Sequence, residues 1–463
     1  NTKNQGHGYN IWEKQINSAY GSAEIGFMDY VYLTVTARND WFSTLSQKDK
    51  VAPNNDLYTS ASVSLVVSDA LDLGETISFL KLRGGVSQVA GGANNPYALS
   101  LSYGIYGQGH LGASLGNISG GTIPNSEITP FEKNETEFGM DLRLFDNKLS
   151  IDATFYDNET LGDIVGVSAS ATSGYGSALA NLGNISNKGI ELLIKGTLIQ
   201  TEDFAWNASI NYTNNTSKVV ATNDAGGNIS MAEPRSRNLR VTHIVGEKYG
   251  ALYGSSFVRD ASGSIVHEMV NGIPIPKVGD RKILGFGVAP TQLGIGTSFR
   301  YKDFNGSLLF EGKSGGQVYS GTNAYLKRNG HHKITVPAGG REAGFTPDGV
   351  MADGSTITTS IPVAQQEDYW RRSYLIAEQD VVDADYMRLR SLSIGYNVPS
   401  DKLDGTFISK ASISLIGRNL FFLSNSVDNL DPESAYNAGN SAGLEYFALP
   451  VPRTIGLNVN LKF

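Results

Sequence analysis

The stretch Thr454-Ile-Gly-Leu-Asn-Val-Asn-Leu-Lys-Phe463 at the carboxyl end decides the fold. Apolar residues at positions 455, 457, 459, 461 and 463 alternate with small or polar residues at 456, 458, 460 and 462. Successive side chains of a strand point to opposite faces, so this segment has one oily face and one wet face. The alternation predicts a half-buried β-strand rather than a helix.

The same period-two pattern recurs along the whole chain, with residues 291–302 and 148–160 as clear examples. One such run is common in soluble proteins, whereas a long series of them defines an architecture. The pattern predicts thirteen strands near 17–26, 31–39, 58–68, 76–89, 133–145, 148–160, 186–199, 204–218, 291–302, 305–312, 386–398, 410–424 and 452–463.

The connections between these strands alternate between short and long. Tight turns fall near 27–29, 146–147, 200–203 and 303–304, and long loops occupy 90–132, 161–185, 219–290, 313–385 and 425–451. Connections 69–75, 399–409 and 40–57 are of intermediate length. Membrane barrels sort their connections in this way, with short turns on the periplasmic side and long loops outside. The chain is therefore predicted to be all-β, an antiparallel transmembrane β-barrel.

Composition supports a membrane barrel and excludes other classes. The chain has 53 Gly, 22 Tyr and 19 Phe among 463 residues, and only 18% of its residues are charged. It contains no run of about 18 apolar residues, but alternating strands cross a bilayer without one. A net charge of −8 with no dense Lys/Arg tract argues against nucleic-acid binding. No Cys is present, so disulfides and thiolate metal sites are excluded.

Several stretches together resemble the SusC/RagA family of TonB-dependent outer-membrane transporters. They occur in the order expected for that family: Tyr30-Val-Tyr-Leu-Thr-Val-Thr-Ala-Arg-Asn-Asp-Trp41, Leu80-Lys-Leu-Arg83, Asn187-Lys-Gly-Ile-Glu191, Leu389-Arg390 ahead of Ser393-Ile-Gly-Tyr-Asn-Val-Pro399, Gly417-Arg-Asn-Leu420, Asp431-Pro-Glu433 and Leu449-Pro-Val-Pro-Arg-Thr454. The resemblance covers essentially the whole chain.

This resemblance implies active import of nutrient oligomers, glycans or peptides, across the outer membrane of a Gram-negative bacterium. It implies a SusD-like surface lipoprotein and the TonB complex as partners, and neither an enzymatic activity nor a cofactor. Such transporters close a plugged barrel of about 22 strands. Residues 1–463 are therefore expected to form the C-terminal part of the barrel. The plug domain and the earlier strands are expected in an N-terminal portion of the same transporter.

Polar residues on the wet faces of the predicted strands are expected to line the lumen. They are Glu191, Lys195, Arg300, Lys302 and Lys462. In this register the last strand runs towards the periplasm, so Phe463 ends the chain on the outward face and is expected to serve as a barrel assembly signal.

A cluster of aromatic and basic residues lies in the predicted loop 313–385, at Tyr369, Trp370, Arg371, Arg372 and Tyr374. Flat aromatic rings and bidentate Arg side chains suit a surface that binds sugars or peptides. The cluster is a candidate substrate site. The alternative is that these residues pack the loop onto itself or onto a partner lid protein.

Three further motifs resemble chemical sites, but their sequence context favours structural roles. Asp431-Pro432-Glu433 reads as a turn rather than a pair of catalytic carboxylates, and His331-His332 as a solvated loop pair rather than a metal site. The sequence Gly112-Ala-Ser-Leu-Gly116 lacks the strand and helix of a nucleophile elbow. No catalytic or metal site is predicted. A passive porin, or a barrel that anchors an adhesin, stays the alternative function, and an enzyme embedded in a barrel ranks last.

Overall fold

A computed structural model describes residues 11–46, 52–97, 99–111, 113–119, 121–168, 171–222, 227–236, 238–434, 436 and 442–463. Its main element is a thirteen-stranded antiparallel sheet, here called the wall, in which each strand pairs with the next along the chain. The strands are β1 Ile16–Phe27, β2 Val31–Phe42, β3 Asn55–Val66, β4 Ile77–Gly91, β5 Phe131–Leu144, β6 Leu149–Leu161, β7 Asn184–Gln200, β8 Phe204–Ala221, β9 Thr291–Tyr301, β10 Phe304–Ser314, β11 Tyr386–Val398, β12 Lys410–Asn425 and β13 Thr454–Lys462. All thirteen predicted strands are confirmed.

The register aligns the apolar residues of neighbouring strands into continuous rows. Ile151 pairs with Ile194, Ile194 with Ile210, and Ile210 with Ile295. The adjacent row contains Asp152, Leu193, Asn211, Gly294 and Glu311, and is mostly polar. The wall therefore has one apolar face and one predominantly polar face, as a barrel between lipid and water requires.

A β-bulge in β11 changes which residues face the polar side. Arg388 pairs with Glu311 and Leu389 with Phe310, but Ser391 pairs with Leu309, so Arg390 is an extra residue. A bulge of this kind bends the strand and shifts its alternation by one position. The polar face consequently takes even-numbered residues before the bulge and odd-numbered residues after it.

The connections follow the predicted alternation. At one end of the wall the hairpins are short, as between β5 and β6 or between β9 and β10. At the other end the long connections contain further strands, with bounds Ser102–His110, Ala113–Ser119, Thr122–Ile123, Ile164–Ser168, Ser177–Asn181, Ile229–Ala232, Leu239–His243, Ala251–Phe257, Val266–Val270, Ile273–Pro276, Val278–Phe286, Gln317–Ser320, Val350–Met351, Val381–Asp383 and Leu444–Glu445. The period-two pattern did not predict these short strands.

Three α-helices occur among the described residues: α1 Val67–Ala70, α2 Gly321–Arg328 and α3 Val363–Ser373. Short 3-10 segments lie at Ser43–Leu45, Ala171–Ser173, Lys333–Thr335, Arg341–Ala343, Ala377–Asp380 and Ser400–Lys402. In the part of the chain that the structure describes, none of the helices has the length and apolar character needed to cross a membrane.

The described residues of three long loops, 222–290, 315–385 and 426–453, pack together into one unit, here called the canopy. Gln317–Ser320 pairs with Leu444–Glu445, and Val266–Val270 pairs with Val350–Met351, so strands of different loops share sheets. A buried cluster draws residues from all three loops: Leu239, Val241, Leu252, Tyr319, Ala324, Ala377 and Leu444. The canopy thus has a hydrophobic core of its own.

Candidate functional site

The polar face of the wall carries a charged network that spans three strands. Arg83 of β4 lies 3.4 Å from a carboxylate oxygen of Glu137 and 2.9 Å from one of Asp152, and it also donates a hydrogen bond to Thr154. About a third of the Arg83 side chain is exposed, so water screens these pairs. The network shows that this face of the wall is polar and accessible to water.

Two of the predicted lumen residues lie in register with this network. Glu191 pairs with Thr154 and Thr213, and Lys195 pairs with Ser150 and Ser209. Both positions therefore belong to the same polar face of β7.

The other three predicted lumen residues lie apart from them. Arg300 donates a hydrogen bond to the carbonyl oxygen of Glu202 near the short-turn end of the wall. Lys302 occupies the β9–β10 turn with a positive φ of 50°. Lys462, on the last strand, pairs with Lys410 of β12. The structure does not gather the five residues into one cluster, and their contact with solute stays a prediction.

At the chain end, the ring of Phe463 stacks on that of Phe407 in the β11–β12 connection, with centroids 5.7 Å apart. Phe463 is largely exposed. Its predicted role in barrel assembly stays a prediction.

A buried ion network fastens the canopy to the wall. Arg388 of β11 lies 2.6 Å from Asp431 and 2.6 Å from Glu433, and Arg390 lies 2.6 Å from Glu433 and 2.8 Å from Glu311. The Arg388 side chain is only 3% exposed. Burial alone would raise the pKa of Glu433, but hydrogen bonds from Arg390 and Tyr386 and the two guanidinium charges hold it below its usual range.

The predicted turn at Asp431-Pro432-Glu433 is confirmed, since the Ser434 N–H donates a hydrogen bond to the Asp431 carbonyl. Sequence reasoning missed that its two carboxylates pair with the buried side chain of Arg388. The signal was two Arg residues near the start of β11 and two carboxylates in a tight turn of the loop that follows β12.

A second buried carboxylate joins two canopy loops. Glu445 accepts hydrogen bonds from the hydroxyl of Thr322 at 2.5 Å and from that of Ser320 at 3.3 Å, and also from the Thr322 N–H. It therefore lies at the amino end of α2, where the helix dipole favours a negative charge. This contact holds loop 426–453 against loop 315–385.

The predicted aromatic and basic cluster falls on α3 and its end. Tyr369 and Trp370 are 8% and 9% exposed and pack on Phe345, with ring centroids 5.1 and 5.8 Å away. The buried cluster around them also contains Ile273, Ile275 and Ile361. Both aromatic rings therefore pack the canopy, which corresponds to the alternative weighed for them.

The remaining residues of that cluster point to different surroundings. Arg372 pairs with Asp368 at 3.0 Å, and Arg371 lies 3.7 Å from Glu367. The guanidinium of Arg328 lies over the ring of Tyr374, 5.0 Å from its centroid. The five residues therefore do not form one surface, and direct ligand contact by any of them stays a prediction.

Trp370 and Arg371 also line a cavity of about 700 Å³ between α3 and the segment that follows α2. The end of α2 contributes Arg328 to the same cavity, and the segment after it contributes His331 and Arg341. Sequence reasoning did not find these three residues, because they lie 28 to 41 positions before Tyr369, where the α3 cluster begins.

The two histidines were predicted as a solvated pair, and this is wrong for one of them. His331 is exposed, but His332 is 8% exposed and its Nδ1 accepts a hydrogen bond from the Ile334 N–H. No group of three metal-ligating side chains occurs in the described ranges. Gly112 of the predicted non-elbow motif lies outside the described residues, and the other four residues of the motif belong to the strand Ala113–Ser119 and not to a strand-to-helix turn.

Residues 2–420 match the family model described as "TonB dependent receptor-like, beta-barrel", and the chain belongs to this family. With the two-faced wall, family membership places the chain in the outer membrane as a β-barrel. The family is a class of transport receptors and not of enzymes.

Among proteins of known sequence, the chain is 26% identical to TonB-dependent receptor P3 of Formosa agariphila, over 97% of this chain and 46% of that protein. It is 22% identical to TonB-dependent receptor SusC of Bacteroides thetaiotaomicron, over 73% of this chain and 32% of SusC. The chain thus spans less than half the length of these relatives.

Among solved structures, the wall and canopy resemble one described as the RagAB peptide importer in the "closed-closed" state. The TM-score is 0.74 at 18% identity, over 97% of this chain and 48% of that chain. At this level of identity the likeness concerns the fold.

Proposed function

We propose that the chain forms the C-terminal barrel portion of a TonB-dependent importer of nutrient oligomers, glycans or peptides. The observation that carries this proposal is the combination of a two-faced wall with a folded canopy at its long-loop end. A simple diffusion pore needs the wall but has no need of a canopy with its own buried core.

In this proposal the apolar rows contact lipid and the polar face borders the path of the solute. The apolar row through Ile194, Ile210 and Ile295 crosses the middle of the sheet, where lipid contact is expected. The polar face with Arg83 and Glu191 would contact water, solute or the plug.

The family resemblance supplies the proposed partners. A plug domain and the segment that reaches TonB are assigned to an N-terminal portion of the same transporter. A SusD-like surface lipoprotein is assigned to the outer side, above the canopy. Likeness to a barrel described as part of a peptide importer supports an oligomeric solute, and likeness to SusC supports the same class of receptor.

Uptake by whole cells tests this proposal. Cells with the intact transporter are expected to accumulate fluorescent oligopeptides or oligosaccharides, and the uptake is expected to stop when TonB is deleted or the proton gradient is collapsed. A passive porin would continue to admit the solute without TonB, and an adhesin anchor would admit none. Either result would overturn the importer proposal.

Purification of the intact transporter in mild detergent tests the partner separately. A surface lipoprotein is expected to co-purify in stoichiometric amount and to be identified by peptide mass spectrometry. The control is the same purification from cells that lack the transporter, in which the lipoprotein must be absent from the eluate.

A further inference from the structure

The cavity beside α3 has a marked excess of positive charge. Arg328, Arg341 and Arg371 line it, with Glu367 as the one acidic lining residue in the described part of the chain. Arg371 and Glu367 are 3.7 Å apart and both well exposed, so water screens their pairing. Among the described residues, no carboxylate oxygen comes within 4.0 Å of the guanidinium of Arg328 or Arg341.

Both of these guanidinium groups are held in place by contacts that leave their charge unneutralised. Arg328 lies over the rings of Tyr325 and Tyr374, 5.5 and 5.0 Å from the centroids. Arg341 donates a hydrogen bond to the carbonyl oxygen of Gly330. Stacking and a single backbone bond orient a guanidinium without satisfying its five N–H donors.

A buried donor at the same cavity also lacks a partner. Trp370 lines the cavity and is 9% exposed, and its Nε1 has no hydrogen-bond partner among the described residues. A buried N–H without an acceptor is destabilising, and such a group in a native protein calls for an explanation such as a bound ligand. That nitrogen is itself buried, so an acceptor oxygen in the cavity reaches it only after the Trp370 side chain moves.

We propose that this cavity binds a carboxylate group of the solute, so that the canopy selects acidic oligomers. The inference rests on the proposed import function and narrows its substrate class. Arg328 and Arg341 would supply charge-assisted hydrogen bonds, which are shorter and stronger than neutral ones. After such a movement, Trp370 would add a neutral donor.

Calorimetric titration of the intact purified transporter tests this inference. The acidic probes are trigalacturonate and triglutamate, and the neutral probes are maltotriose and trialanine. At least one acidic probe is expected to bind about ten-fold or more tightly than its neutral counterpart, and to weaken with added salt. The better acidic probe identifies a sugar or a peptide as the carrier. Equal binding of acidic and neutral probes would overturn the inference.

Variants of the residues that line the cavity test whether the acidic probe binds there. The double variant Arg328→Gln/Arg341→Gln is expected to bind the acidic probe roughly ten- to hundred-fold more weakly, as loss of charge-assisted bonds predicts. The matched control is Arg240→Gln, because Arg240 is a canopy arginine paired with Glu233 and does not line the cavity. Unchanged binding in the double variant would overturn the inference.

Two further variants guard against a folding defect. Trp370→Phe keeps a buried aromatic ring and removes the N–H together with part of the indole, so binding is expected to weaken by roughly three- to ten-fold. Arg328→Lys/Arg341→Lys keeps the charge but loses the planar fork, and is expected to bind between the wild type and the Gln double variant. If the Gln double variant weakens lipoprotein binding but leaves probe affinity unchanged, the arginines serve the partner and the inference fails.

Uptake experiments separate this inference from the proposed function. TonB-dependent uptake of neutral oligomers alone would retain the importer and reject the acidic selectivity. Arginine-dependent binding of acidic probes without TonB-dependent uptake would retain the site and reject the importer.

Discussion

The wall and the canopy are built by different physics. In the wall, thirteen strands pair in sequence order. Large apolar side chains such as Phe138, Phe155 and Leu457 are more than half exposed, because this face of a membrane barrel contacts lipid and not water. In the canopy, residues from three loops meet in clusters in which Leu239, Leu252 and Tyr319 are fully buried. Local alternation therefore specifies the wall, whereas long-range packing specifies the canopy.

The largest effect is expected where the two regions join. Replacing Arg388 by Met removes the buried cation between Asp431 and Glu433 and leaves two carboxylates without it. Breaking a buried ion pair in this way destabilises by about 3–5 kcal/mol. We expect loop 426–453 to detach from the wall, and hydrogen exchange of its amides in the intact transporter measures the loss.

The matched control for Arg388→Met is Arg418→Met on the neighbouring strand. Arg418 is exposed and has no ion pair among the described residues, so its loss is expected to leave exchange of the loop unchanged. Equal exchange in the two variants would mean that the ion network does not hold the canopy.

The next effect tests the two faces of the wall. Ile210→Arg places a charge in the middle of an apolar row, where an arginine facing lipid costs about 2–4 kcal/mol. Asn211→Arg places the same charge one residue along, on the polar face, where little change is expected. The yield of folded barrel, measured by heat-modifiable migration of outer-membrane fractions, should fall only for Ile210→Arg. A similar loss for both variants would contradict the assignment of faces.

A pH effect of similar size is expected in the canopy. Burial lowers the pKa of His243 to about 4, and its Nε2 has no partner among the described residues. The folded canopy therefore keeps His243 neutral while the unfolded segment takes up a proton below pH 6.5. The folding stability that depends on neutral His243 is fully present above pH 6.5. It is lost as the pH falls, and the loss reaches about 3 kcal/mol by pH 4.

Hydrogen exchange of Leu239–His243 between pH 7 and pH 4, corrected for intrinsic rates, measures this loss. His243→Phe keeps a ring against Tyr249, whose centroid lies 4.7 Å away, and is expected to flatten the pH dependence. Burial raises the pKa of Asp380 to about 6, although Lys327 lowers it, and this group acts in the opposite sense. Both the wild type and His243→Phe contain Asp380, so the difference between their pH profiles cancels the contribution of Asp380. Parallel profiles would show that His243 is not responsible.

The smallest effect is expected on the polar face of the wall. Arg83→Gln removes the centre of a network whose members are partly exposed, and such pairs contribute about 0–1 kcal/mol. Thermal denaturation of the intact transporter in detergent is expected to change by no more than a few degrees. A loss as large as that of Arg388→Met would show that the wall is held by side-chain charges and not by backbone pairing.

The contrast explains what could be predicted from the sequence. A strand with one face in lipid and one in water must alternate, so residues 455–463 and 291–302 reveal their structure locally. The thirteen strands and the sorting of loops by side followed directly. The β11 bulge was not predicted, because one extra residue at Arg390 leaves both halves of the strand alternating.

The candidate site was predicted only in part, for the same reason. Aromatic and basic residues at positions 369–374 drew attention to α3, but nothing local distinguishes a buried Trp370 from an exposed one. The cavity becomes visible only when the end of α2 and the segment after it lie against α3, which brings Arg328 and Arg341 beside Trp370. Likewise, the partners of Arg388 lie more than forty residues further along the chain.

The parallel pairing of Gln317–Ser320 with Leu444–Glu445 has a consequence for how such a protein can diversify. Recombination that exchanges a single loop with a relative would leave one part of a shared sheet without its native partner strand. Glu445 would then lie against the helix end of a different protein. The three loops 222–290, 315–385 and 426–453 are therefore expected to be exchanged together, as one module. Anyone grafting a new specificity onto this scaffold has to transplant all three.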